Sequence, residues 1–120
     1  MKILITGAAG QIGSGLAKRL ADKHELTLVD NLRNGYVEHL KDAEGEFIAP
    51  FNDVDVATSE LFSTCGTKWD SYDAIIHLAA ISSLPDCETN PLETLHCNVA
   101  ATANVLDLSL IHISEPTRPY

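Results

Sequence analysis

The stretch Lys2-Ile-Leu-Ile-Thr-Gly-Ala-Ala-Gly-Gln-Ile-Gly13 leaves this chain little choice of fold. An apolar run, Ile3 to Ile5, stops at Thr6-Gly7, and glycines recur at 7, 10 and 13, with another at 15. A short continuous apolar run reads as a parallel strand buried on both faces, so Lys2–Thr6 is predicted to be the first strand. Gly7 permits a tight turn, Gly10 a close backbone approach to a diphosphate, and Gly13 close packing of the next helix. The free N–H groups at that helix N-terminus then face an anion.

A glycine triplet alone is a weak signal; what surrounds this one makes it specific. Residues Gln11 to Lys23 are predicted to be helical, with Ile12, Leu16 and Leu20 repeating on one face. Leu26-Thr-Leu-Val29 reads as strand two, and Asp30 ends it 23 positions after Gly7, near the roughly 20 expected for a ribose-binding acid. A carboxylate there accepts hydrogen bonds from a 2′-hydroxyl and repels a 2′-phosphate. The predicted cofactor is therefore NAD rather than NADP, although Arg33 nearby works against that preference.

Composition bounds the alternatives. The 120 residues suffice for one domain with a real core but not for two. A net charge of −9 argues against a nucleic-acid or anionic-membrane surface, since either needs clustered Lys and Arg. There is no run of about 18 apolar residues, and Met1 leads directly into a core strand without a signal peptide. Cys65, Cys87 and Cys97 are scattered, which fits reduced thiols in the cytoplasm better than a disulfide framework. No metal site is expected from Cys87, His96 and Cys97, because adjacent ligands on one helix point in different directions.

Further along, Asn31 to Gly35 is turn-rich, and Tyr36 to Ala43 reads as a short helix or irregular turn. Glu46 to Ala49 is predicted to be strand three, with Asn52 to Asp55 just beyond its carboxyl end. Ligands lie along that edge of open parallel sheets, so Asp53 and Val54 are candidates to flank an adenine ring. Asp53 can equally cap a weak helix around Ser59–Phe62. Residues Thr64 to Tyr72 read as a surface connection whose Trp69 folds back onto the core.

Asp73 to Ala80 is predicted to be strand four, buried on both faces, with Ala79 and Ala80 small enough for a cofactor to lie against. His77 reads as a packed, hydrogen-bonded core group rather than a catalytic base. Ser82, Ser83 and Pro85 are expected in a loop over the cleft. Asn90, Pro91 and Glu93 then signal a helix start, and Leu92, Leu95, Val99, Thr102 and Leu106 are assigned to its buried face. Asn98 and Asn104 interrupt that packing, and Asn98 is read as functional.

These motifs carry a resemblance. Thr6-Gly-Ala-Ala-Gly-Gln-Ile-Gly13 resembles the TGxxGxxG turn of the extended short-chain dehydrogenase/reductase family. Asp30-Asn-Leu-Arg-Asn-Gly35 is similar to the strand-two exit of its NAD-dependent epimerases and dehydratases, above all the UDP-glucose 4-epimerase type. His77-Leu-Ala-Ala80 and Asn98-Val-Ala-Ala-Thr-Ala-Asn104 resemble that family's strand-four and helix motifs. Asn52 stands where a glycine often precedes the Asp, and Ala101 replaces a glycine in the usual helix motif.

The resemblance implies an α/β Rossmann-type doubly wound parallel sheet of order 3-2-1-4, truncated after strand four and its helix. It implies NAD that takes hydride from a nucleotide-sugar carbon and returns it. Gly7, Gly10, Gln11, Ile12 and Gly13 would hold the diphosphate, and Asp30 and Asn31 the adenosine ribose. Asp53 and Val54 would face adenine, Leu78, Ala79 and Ala80 the middle of the dinucleotide, and Asn98 the inner edge of the site. Whether the parent is a homodimer stays open.

One part of the family pattern is absent. Its chemistry uses a Tyr-x-x-x-Lys pair, in which lysine lowers the tyrosine pKa for general-base work, and neither Tyr36, Tyr72 nor Tyr120 has a lysine four positions on. The chain therefore reads as a cofactor half that is inactive alone, with no catalytic residue assigned. The alternative is a non-catalytic dinucleotide-binding or redox-sensing module of the same fold. After Asp107, Leu-Ser-Leu-Ile-His-Ile-Ser-Glu-Pro-Thr-Arg-Pro-Tyr120 resembles the conceptual translation of a transposon-type sequencing adapter. Residues 1–107 are accordingly assigned to the NAD-binding domain and 108–120 to a non-native tail.

Overall fold

The computed structural model describes residues 1–33, 35–58, 72–80 and 84–113. Strands β1 (Lys2–Thr6), β2 (Glu25–Asp30), β3 (Phe51–Asp53) and β4 (Ala74–His77) form one parallel sheet of order β3-β2-β1-β4. Helix α1 (Gln11–Leu20) crosses from β1 to β2, a 3-10 turn spans Val37–Leu40, and α2 (Leu84–Thr89) and α3 (Pro91–Ile113) follow β4. The predicted order holds.

Alternation along β1 builds two cores. Ile3 and Ile5 pack with Ala17 of α1, Leu26, Leu28 and Leu40 on one face. Leu4 points the other way, into Val29, Val54, Val56 and the α3 residues Ala101 and Val105. Leu4, Ile5, Leu28 and Leu40 are fully buried, each stabilising the fold by roughly 1.5–3 kcal/mol relative to exposure.

The structure corrects several element assignments. β3 begins after Pro50, not at Glu46, where only an isolated antiparallel bridge joins Lys41 to Phe47. Leu28 N–H donates to the Pro50 carbonyl at 2.8 Å, so the proline enters the pairing through the one backbone polar group it keeps. Ile48 and Ala49 still pack on the core, which is why that segment looks like a strand in sequence. β4 is half-buried rather than buried on both faces; it pairs with β1, and no described strand pairs with its other edge.

Helix faces differ too. α1 ends at Leu20, and it buries Gly13, Ser14 and Ala17 while Ile12 is exposed. In α3 the assigned face is inverted. Leu92, Leu95, Val99, Thr102 and Leu106 are exposed, whereas Ala101 and Val105 are buried. Small side chains allow that helix to lie close to the sheet, and proximity decided the orientation over hydrophobic bulk. α3 runs without a break through Ile113.

Pro85 lies in α2, not in a loop. The expectations for Ser82 and Ser83, for Trp69 and the Thr64–Ser71 connection, for Cys65, for a helix at Ser59–Phe62 and for 114–120 fall outside the described residues. Among the described residues no helix is long and apolar enough to cross a membrane.

Candidate functional site

The carboxyl edge of the sheet opens into a cleft of about 470 Å³, within the usual range for small-molecule sites. Its floor is the turn between β1 and α1. Gly7 has φ +67°, and a Cβ there would meet the Leu78 carbonyl carbon and Ala79 N at 2.7 Å, so the end of β4 lies directly on this residue. A Cβ on Gly13 would collide with the Gly7 carbonyl oxygen, which seats α1 on the turn. Gly10 differs. Its φ is −74°, and the nearest atom to a Cβ would be Gly7 O at 3.4 Å. The fold requires glycine at 7 and 13, but among the described residues no contact closer than 3.4 Å requires it at 10.

Helix α1 begins at Gly10 with no side-chain cap and no acidic residue in its first turn. The first helical bond there is Ser14 N–H to the Gly10 carbonyl at 2.9 Å. An uncapped helix start presents a partial positive charge to whatever occupies the cleft.

Asp30 is nearly buried at the end of β2. Its Oδ2 accepts from Ala9 N–H at 2.9 Å and its Oδ1 from Leu32 N–H at 2.7 Å. Each carboxylate oxygen retains acceptor capacity, and Asp30 lines the cleft. Leu32 takes up φ 62°, a left-handed conformation that this tight turn imposes on a side-chain-bearing residue.

Of the thirteen predicted site residues, the cleft lining unites Gly7, Gly10, Gln11, Ile12, Gly13, Asp30, Asn31, Val54, Leu78, Ala79, Ala80 and Asn98. Asp53 does not line it; the residue is exposed at the end of β3, in register with Asp30. The turn after β3 is instead closed by Asp55, whose Oδ1 accepts from Ala57 N–H at 2.9 Å. Asn104 lies outside the cleft and donates through Nδ2 to the Val56 carbonyl at 2.9 Å, tying α3 to that turn.

His77 sits between two hydroxyls. Thr6 Oγ1 accepts from Leu78 N–H (3.0 Å) and Ala79 N–H (3.2 Å), so its own proton goes to His77 Nδ1 at 2.7 Å. His77 Nε2 then carries the ring proton and faces Thr102 Oγ1 at 3.3 Å, which donates to the Asn98 carbonyl at 2.9 Å. This order requires a neutral imidazole, and burial lowers the His77 pKa below its ordinary 6.5. His77 therefore joins β1, β4 and α3 as the packed group expected from sequence.

Sequence reasoning missed the role of Ala9. Its N–H holds Asp30, and its carbonyl accepts from Tyr36 N–H at 3.2 Å and from His39 Nδ1–H at 3.0 Å. A Cβ on Gly35 would meet Ala9 at 2.8 Å. The glycine closing Asp30–Gly35 was a readable sign that this loop lies against another backbone. The pairing of Arg33 with Glu93, 60 residues apart, left no sign in sequence. Among the described residues no group of three His, Cys, Asp or Glu could hold a metal ion.

The geometry has counterparts among known proteins. A profile of the NAD dependent epimerase/dehydratase family matches residues 3–116. UDP-glucuronic acid decarboxylase 1 of Danio rerio is 37% identical over 112 residues, covering 90% of this chain and 24% of that protein. UDP-glucose 4-epimerase of Corynebacterium glutamicum is 32% identical over 113 residues, covering 93% of this chain and 32% of that protein. Among solved structures, Thermus thermophilus UDP-glucose 4-epimerase in complex with NAD superposes with a TM-score of 0.76 at 28% identity, over 90% of this chain and 33% of that one. The chain thus spans between a quarter and a third of the length of these relatives.

Proposed function

Because the chain belongs to the NAD dependent epimerase/dehydratase family, we propose that it forms the cofactor-binding part of an enzyme that acts on a nucleotide sugar through transient hydride transfer to NAD. The observation that carries this reading is the shared cleft of an uncapped helix start and a buried acid, α1 and Asp30. Gly10 supports it independently, because glycine there leaves room that only a closely approaching ligand would use.

The residues fit a dinucleotide. The N–H groups of Gln11, Ile12 and Gly13 hold the diphosphate at the helix start. Asp30 and Asn31 take the adenosine ribose, and Val54, buried yet lining the cleft, packs on adenine. Leu78, Ala79 and Ala80 bound the middle of the dinucleotide, and Asn98 supports the inner edge. When bound, NAD supplies a reversible hydride acceptor at a sugar carbon. The chain's own part is to bind, orient and screen from water; His77, neutral and committed on both nitrogens, is a positioning residue.

Tyr36 and Tyr72 are not followed by a lysine four positions on, so these two do not form the family's Tyr-x-x-x-Lys pair, and on this reading residues 1–120 supply the cofactor cleft rather than the general base. Reading the source gene past the codon for Asp107 tests this. A frame that continues into a Tyr-x-x-x-Lys pair, with NAD released on denaturing the purified product, supports the enzyme. A gene ending at Tyr120 whose product binds no NAD rejects it.

A further inference from the structure

Arg33 and Glu93 meet across the mouth of the cleft. Arg33 Nη1 donates to Glu93 Oε1 at 2.7 Å, linking the loop after β2 to the first turn of α3. Both line the cleft with Asp30 and Asn31. Among the described lining residues Arg33 is the one cation, against the carboxylates of Asp30, Asp55 and Glu93.

Local geometry brings Arg33 to the ribose end. Leu32 N–H bonds to Asp30 Oδ1 at 2.7 Å and Arg33 N–H to Asn31 Oδ1 at 3.1 Å, and the left-handed Leu32 turns the chain back. A guanidinium three residues after the ribose acid is well placed to fork onto a 2′-phosphate. Without the Glu93 carboxylate beside it, Arg33 would offset more of the repulsion that Asp30 offers that phosphate.

We propose that Glu93 is a specificity-determining residue. By engaging Arg33 it keeps the guanidinium from a 2′-phosphate and adds its own negative charge to the cleft, which favours a dinucleotide with a free 2′-hydroxyl. The inference rests on the dinucleotide reading of the cleft and assigns its cofactor choice to a pair outside the glycine motif. The pair is partly exposed, with side-chain accessibilities of 35% and 49%, so its effect is modest.

The test is the binding of NAD and of NADP to the intact gene product carrying this chain, followed by titration calorimetry. Glu93→Gln keeps the shape and removes the carboxylate that Arg33 bonds. The ratio of NADP affinity to NAD affinity is expected to rise about two- to fivefold. The double variant Glu93→Gln with Arg33→Ala should return the ratio towards wild type. An unchanged ratio in Glu93→Gln while NAD still binds overturns the inference alone, as does a gain that survives loss of Arg33. A wild-type protein that binds neither nucleotide overturns the dinucleotide reading itself, and this inference with it.

Discussion

The backbone N–H of Ala9 donates to Asp30 Oδ2 at 2.9 Å, so the turn that opens α1 holds the acid that ends β2. The glycine turn and this acid are thus tied together by a direct hydrogen bond. A tie of that kind lowers the ordering cost of binding.

Asp30→Ala removes the acceptor for two amides, those of Ala9 and Leu32. An unsatisfied buried donor costs about 1–3 kcal/mol, so urea unfolding should show a loss in that range. NAD affinity should fall by at least about tenfold. A variant as stable as wild type would mean that those bonds do not hold the loop.

The glycines should separate by their surroundings. Gly13→Ala drives a methyl into the Gly7 carbonyl oxygen and should destabilise by roughly 1–3 kcal/mol, as overpacking does. Gly15→Ala, with nothing within 4 Å on an exposed helical turn, should stabilise by about 1 kcal/mol. Thermal midpoints that move in the same direction would contradict the packing described.

Gly10→Ala offers a third pattern. The methyl meets its nearest neighbour at 3.4 Å, so stability should change by less than about 1 kcal/mol while NAD binding weakens sharply. Equal losses in both would place the demand for glycine in the fold rather than the ligand.

His77 predicts a pH dependence. Burial depresses its pKa, so the folded chain binds fewer protons than the unfolded chain just below 6.5. Its contribution to stability is complete above about 6.5 and is lost as pH falls through the window towards the lowered folded value. Long-range ¹H–¹⁵N NMR should find the proton on Nε2. A ring protonated at both nitrogens at pH 6.5 would break the hydrogen-bond order through Thr6 and Thr102.

The isolated 120-residue chain should be poorly soluble. Leu92, Leu95, Val99 and Leu106 are all more than half exposed on α3, and no described strand pairs with the outer edge of β4. Surfaces of that kind bind hydrophobic dyes and promote association. A soluble monomer with cooperative unfolding and no dye binding would argue otherwise.

Local signals were legible wherever one segment carried its own reason. The apolar run before Gly7, the glycine spacing and the acid ending β2 each follow from backbone sterics or strand burial, and they announced β1, α1, β2 and the cleft residues Gly7, Gly10, Gly13 and Asp30, whereas Gln11, Ile12, Asn31 and Leu78 came from the family resemblance alone. The limits of β3 and the face of α3 were not legible. Phe47 to Ala49 is as apolar as a strand, but the ladder of Leu28 to Asp30 selects Phe51 to Asp53 as its partner. Likewise Leu92, Leu95 and Val99 form the more hydrophobic stripe, yet closeness to the sheet favours the smaller side chains on the other face. Amino-acid order determined the turn, the helix start and the acid, because those depend on neighbours in the chain. Tertiary structure alone decided the hub at Ala9, the hydroxyl–imidazole relay at His77 and the Arg33–Glu93 pair, because each joins groups whose separation in sequence carries no periodicity to read.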